Sequence, residues 1–87
     1  MYYLKFDLGI LNSDRIVEIT LQKTAANVHL LDGSNFFNYV RGRDFSGIGG
    51  LTMYSPVTFT IPNHDHWYVV VDTKGYKGTP QASVKLR

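Results

Sequence analysis

The chain reads as an all-β domain, a small β-sandwich or partly open barrel of about six strands with one short helical insertion, and three observations carry that prediction. The first is the run His-Trp-Tyr-Val-Val-Val-Asp at residues 66–72, the longest stretch of large apolar and aromatic side chains. It is too short and too β-branched for a buried helix, and its weak alternation predicts a central strand covered on both faces. Trp67, Val69 and Val71 then point one way, and Tyr68 and Val70 the other. The second observation is a series of short alternating segments at hairpin spacing. The third is a middle stretch, residues 32–54, whose glycines, amides and rings follow no strand period.

Taken in order, Tyr2, Leu4, Phe6 and Leu8 alternate with Tyr3, Lys5 and Asp7, the period of a half-buried strand, which Gly9 is expected to end. After the turn signal Asn12-Ser13-Asp14, residues 15–21 place Val17, Ile19 and Leu21 on one face and Ile16, Glu18 and Thr20 on the other. Residues 27–31 put Val28 and Leu30 on one side and Asn27, His29 and Leu31 on the other. The short connection between these two strands predicts a hairpin.

Asp32-Gly33 then breaks the pattern, Ser34 has the chemistry of a helix cap, and Phe36, Tyr39 and Val40 recur at helical spacing before Gly42. This predicts a short helix or 3₁₀ segment over residues 35–41. Residues 43–51, Arg-Asp-Phe-Ser-Gly-Ile-Gly-Gly-Leu, read as an irregular glycine-rich loop. Regular spacing returns with Val57, Phe59 and Ile61, bounded by Pro56 and Pro62. After Asp72 a turn-rich segment leads to residues 81–87, where Ala82, Val84 and Leu86 face inward and Ser83, Lys85 and Arg87 outward. Those charges suit an edge strand.

A chain of 87 residues has room for one domain, 1–87, with one core. A chain of that size hides only roughly 60 to 65% of its unfolded surface. No cysteine is present, so disulfides and thiolate metal sites are excluded and oligomerisation becomes the natural extra support. Nine Lys and Arg against seven Asp and Glu give a net charge of +2, far from the basic stripe of a dedicated nucleic-acid binder. Lys5 and Asp7 interrupt the apolar N-terminal run, so it reads as neither signal peptide nor membrane span, and a cytoplasmic protein is expected.

Chemistry-bearing residues fall in four places. His64 and His66, two apart on extended chain, face the same way, as a metal pair does, with His29 or an acid as third ligand; strand-entry hydrogen bonding explains His66 more simply, and no metal is expected. Ser46-Gly-Ile-Gly-Gly50 lacks the Gly-Lys-Ser/Thr ending of a phosphate loop, so no cofactor is expected. Lys74, Lys77, Lys85 and Arg87 with Tyr76 form a basic end able to follow a phosphate backbone, though charged edge and loop residues account for it equally. No serine, histidine and acid stand in a nucleophile pattern, so an enzyme is not expected. The richest segment is the middle one. Asn35, Asn38, Tyr39, Arg41, Arg43, Asp44 and Tyr54, with Phe37 and Phe45 nearby, combine guanidinium, amide and ring groups, as a site for an anionic or planar ligand or a protein hot spot would.

Residues 27–43, Asn-Val-His-Leu-Leu-Asp-Gly-Ser-Asn-Phe-Phe-Asn-Tyr-Val-Arg-Gly-Arg, then Gly49-Gly50, Ser55-Pro56-Val57 and His66-Trp-Tyr-Val-Val-Val-Asp72, resemble in order and spacing a small bacterial family of β-rich domains, domain of unknown function 1883. The resemblance covers residues 15–87. It implies a compact β-rich domain, found alone or, in some bacterial proteins, beside a TIR domain, and a sensing, binding or assembly role rather than chemistry. The chain departs from the family pattern at Thr73-Lys74, where an apolar residue and a glycine are expected before Gly75. The family supplies no binding residues to carry over.

Together these readings predict a non-catalytic binding or interaction module of a bacterial cytoplasm, related to TIR-linked systems. Its partner surface lies in residues 32–54, and it takes an unknown protein or a small anionic ligand, without membrane or cofactor. The alternative is a structural homo-oligomer, to which the rings of Tyr2, Tyr3 and Tyr76 would contribute; nucleic-acid binding and metal-dependent hydrolysis rank below both.

Overall fold

The computed structural model describes residues 3–22, 25–73 and 80–87. Seven strands and one helix follow in the order β1 (Tyr3–Leu11), β2 (Ile16–Leu21), β3 (Ala26–Asp32), α1 (Gly33–Val40), β4 (Ile48–Thr52), β5 (Val57–Thr60), β6 (Asp65–Asp72) and β7 (Ala82–Leu86). They form two antiparallel sheets, β1-β6-β3-β4 and β5-β2-β7, facing each other as a sandwich rather than closing into a barrel. Among the described residues no helix is long and apolar enough to cross a membrane.

The 66–72 run is a central strand, as its composition predicts. β6 lies between β1 and β3, and Trp67, Val69 and Val71 join Val17, Ile19, Val28, Leu30 and Ile61 in the core between the sheets. Its other face is covered too: Val70 packs with Leu31, Tyr39, Phe36 and Tyr3 beneath α1. The helix therefore forms a third layer on the outer side of the four-stranded sheet, and Tyr3, expected as a surface ring, is half-buried against Tyr39. Tyr2 and Tyr76 lie outside the described residues.

Several further expectations are corrected. The β2–β3 hairpin does not form: β3 pairs with β6 and β4, while β2 sits between β5 and β7 in the opposite sheet. Both faces of β3 carry buried side chains, Val28 and Leu30 inside and Leu31 outside, so it takes an interior place in the sheet that α1 covers. Gly9 does not end β1; it marks a bulge between Asp7 and Gly9, after which the strand continues to Leu11. The helix is capped by Asp32 rather than Ser34, with the Asp32 Oδ1 accepting from the Asn35 N–H at 2.9 Å, and Val40 faces outward, 42% exposed.

Another correction is the glycine-rich stretch, which contains a seventh strand. Ladder bonds need only the backbone, and β4 pairs with β3 from Ala26↔Thr52 to Leu30↔Ile48. Small residues are required there: a Cβ on Gly49 would stand 2.1 Å from the Val28 carbonyl oxygen, and one on Gly47 would stand 2.4 Å from Leu31 Cδ2. The C-terminal strand β7 lies at an edge as expected, yet Leu86 is partly exposed rather than inward.

Candidate functional site

The last turn of α1 decides where the following loop goes. Gly42, at φ +70°, donates to the Tyr39 carbonyl at 3.1 Å, and the Arg43 N–H donates to the Asn38 carbonyl at 2.9 Å. This is the paired termination that reverses the chain after a helix. Three residues on, the Ser46 N–H donates to Asn35 Oδ1 at 2.8 Å, tying the loop back to the first turn of the helix. With both ends held, the loop turns Phe45 toward the outer face of the sheet. Its ring stands edge-on to Tyr39 at 5.2 Å and to His29 at 5.3 Å between centroids.

A cleft of about 530 Å³ opens between this loop and the sheet, lined by His29, Tyr39, Gly42, Arg43, Asp44, Phe45 and Asp72. Its floor is a polar chain. The buried Asp72 carboxylate accepts from the Tyr39 hydroxyl at 2.6 Å through Oδ2 and from Asn27 Nδ2 at 2.9 Å through Oδ1. Asn27 and Asp72 are opposed residues of β3 and β6, so strand register sets their distance. Burial, reinforced by the bond to Asp72 and its negative charge, pushes the Tyr39 phenol far above its usual range. His29 is half-buried, and loss of hydration holds its imidazole below the ordinary histidine value against the opposing pull of Asp72. The cleft thus offers a neutral imidazole, a fixed phenol, a ring wall and, at its mouth, the exposed Arg43 and Asp44.

The predicted site residues divide. Tyr39, Arg43 and Asp44 line the cleft. Asn35 and Asn38 shape it from behind, the first by its amide and the second by its backbone carbonyl. Arg41 lies outside, its guanidinium 3.9 Å over the exposed Phe37 ring, and Tyr54 stands away from the cleft after β4. Sequence reasoning set Phe45 beside this site but placed His29 with the histidine pair and Asp72 at the end of the central strand, and joined neither of these two to it. The alternation of β3 does put His29 and Asn27 on one face; which layer covers that face is a tertiary fact.

The histidine pair has separate occupations. His66 Nε2 meets Asp7 Oδ1 at 2.6 Å and its ring stacks on Tyr68, while His64 Nδ1 donates to Asn12 Oδ1 at 2.6 Å. The His66 bond, then the Gly9 N–H, holds the Asp7 carboxyl below its usual value. Among the described residues no three His, Asp or Glu side chains are gathered for a metal. Asp72 stands at the far end of β6 from Asp65 and His66. Of the basic end, Arg87 is paired with Glu18 and Lys85 lies opposite Glu18 across the β2–β7 ladder, while Lys74, Tyr76 and Lys77 lie outside the described residues.

No curated protein and no solved structure matches this chain. A family model does, over residues 1–87, and the chain belongs to the family described as Domain of unknown function (DUF1883).

Proposed function

We propose that this domain is a non-catalytic binding module whose cleft between β3, β6 and the α1–β4 loop takes a small ligand with a flat ring and an anionic group. The observation that supports this most is the pinning of the loop by Asn35 and Asn38, which holds Phe45 and Arg43 in place before any ligand arrives. Concave sites with apolar walls and a few fixed polar groups are where small molecules bind, and prior ordering reduces the entropy cost of binding. Phe45, Tyr39 and His29 supply the ring wall, and Arg43 supplies a forked cation at the mouth. The lack of cysteine supports a cytoplasmic setting, and the family resemblance supports a sensing or assembly role in a bacterium, related to TIR-linked systems.

Benzoate and benzylamine, which share a ring and differ in charge, test the reading by calorimetry. Benzoate is expected to bind and benzylamine not. Arg43→Ala should abolish benzoate binding, whereas Arg41→Ala, on the Phe37 side of the helix, should leave it unchanged. Equal binding of the two probes would overturn the anionic reading, and binding of neither would overturn the cleft as a site for ring anions.

A further inference from the structure

Among the described residues, four strands stand at sheet edges: β1 and β4 in one sheet, β5 and β7 in the other. An edge strand exposes a row of N–H and C=O groups to any passing strand, and stable monomers blunt such rows with charge, proline, bulges or shortness. Three of these edges are blunted. β1 carries Lys5, Asp7 and the bulge at Gly9. β5 is four residues long between Pro56 and Pro62. β7 carries Lys85 and is followed by Arg87. β4, at five residues, carries neither charge nor proline. It reads Ile-Gly-Gly-Leu-Thr within a stretch, residues 45–63, that holds no Lys, Arg, Asp or Glu. Around it Ile48, Leu51, Met53 and Tyr54 are exposed, the last at 84%.

The same stretch is complementary to itself. Residues 46–54 read Ser-Gly-Ile-Gly-Gly-Leu-Thr-Met-Tyr, with Ser46, Gly47 and Gly49 before Gly50 and Leu51, Met53 and Tyr54 after it. Antiparallel pairing of two copies about Gly50 sets Leu51 against Gly49 of the second copy, Met53 against its Gly47 and Tyr54 against its Ser46. Leu51, Met53 and Tyr54 each meet a residue with little or no side chain, and Ile48 meets the β-branched Thr52. Gly49 is already fixed as a glycine by its approach to the Val28 backbone, and Gly47 lies close against Leu31, so packing within one chain prepares the surface for the other.

We propose that β4 is a homodimer interface, in which two copies add β4 to β4 antiparallel about Gly50 and join two four-stranded sheets into one. The occupant is a second copy rather than a foreign strand, because the size pattern matches its own reverse and a charge-free segment meets itself without repulsion. Such an interface is isologous, and it supplies a short chain without disulfides with additional buried surface. It is independent of the ligand cleft, since none of the seven cleft-lining residues belongs to β4.

Sedimentation of the full chain from about 1 to 100 µM tests it, because an interface of this kind makes assembly concentration-dependent. The wild type is expected to pass from monomer to dimer. Leu51→Lys, which brings two ammonium groups near the two-fold axis, should weaken association by roughly tenfold or more. Ile10→Lys, on the edge strand β1, should leave it unchanged. A wild type that stays monomeric, or a Leu51→Lys variant that dimerises like the wild type, would overturn the interface. Should Leu51→Lys fail to fold, hydrogen exchange on the wild type decides: protection of the β4 amides must rise with protein concentration, and protection independent of concentration refutes the proposal.

Discussion

The Tyr39 hydroxyl donates to the Asp72 carboxylate at 2.6 Å, fastening the last turn of α1 to the end of β6. An eight-residue helix is too short to persist alone, so its place on the sheet depends on such fastenings and on the Leu31, Val70 and Phe36 packing beneath it. Tyr39→Phe keeps the ring and removes the donor from a buried carboxylate, a loss of about 1.5–3 kcal/mol. A lowered urea midpoint at neutral pH is expected.

The same bond has a pH signature. The Tyr39 phenol is raised in the folded state, so its contribution is complete below the unfolded value of about 10 and is lost as pH rises beyond it. The stability difference between wild type and Tyr39→Phe should therefore narrow as pH climbs past about 10, measured as paired urea midpoints.

His29 carries the opposite slope. Its folded imidazole is depressed below the ordinary value of about 6.5, so its contribution is complete above that value and is lost as pH falls through it toward the folded value. Proton NMR should show His29 titrating below the usual histidine range. His29→Gln should flatten that part of the fall in urea midpoint below about pH 6.5. A His29 that titrates at the ordinary value would contradict the burial of its ring against Tyr39 and Phe45.

The register of β6 predicts that either inward position rejects a charge. Val69 and Val70 are fully buried on opposite faces, so Val69→Asp and Val70→Asp each place an unpaired carboxylate in a domain with about 5 kcal/mol to lose, and both should unfold. Thr58→Asp, exposed on β5 opposite Glu18, should cost under about 1 kcal/mol, mostly from the facing like charge. Circular dichroism with urea titration compares the three.

The fold was legible where side-chain chemistry alone decides the outcome. The β-branched run at Trp67 to Val71, the alternation of Val17 and Ile19, and the closure of the helix at Gly42 all reported their own surroundings. What stayed hidden depends on distant partners. β4 was missed because Gly47 and Gly49 mark a close approach to Leu31 and Val28, and glycine carries no periodicity from which a strand could be read. The β2–β3 hairpin was expected from a short connection, whereas the two-sided burial of β3 places that strand beside β6. Within the site, Tyr39, Arg43 and Asp44 came from one contiguous segment and were readable together. His29 and Asp72 join them only through the β3–β6 ladder and the layer formed by α1.

In the proposed function, the loop after α1 and the outer face of β3 and β6 form one binding cleft. Amide and side-chain NMR during a benzoate titration tests this most directly, because every lining residue reports separately. Shifts concentrated on His29, Tyr39, Gly42, Arg43 and Phe45, with the Tyr54 and His64 signals unmoved, are the predicted result. Shifts centred elsewhere, or spread evenly over the surface at saturating benzoate, would contradict it.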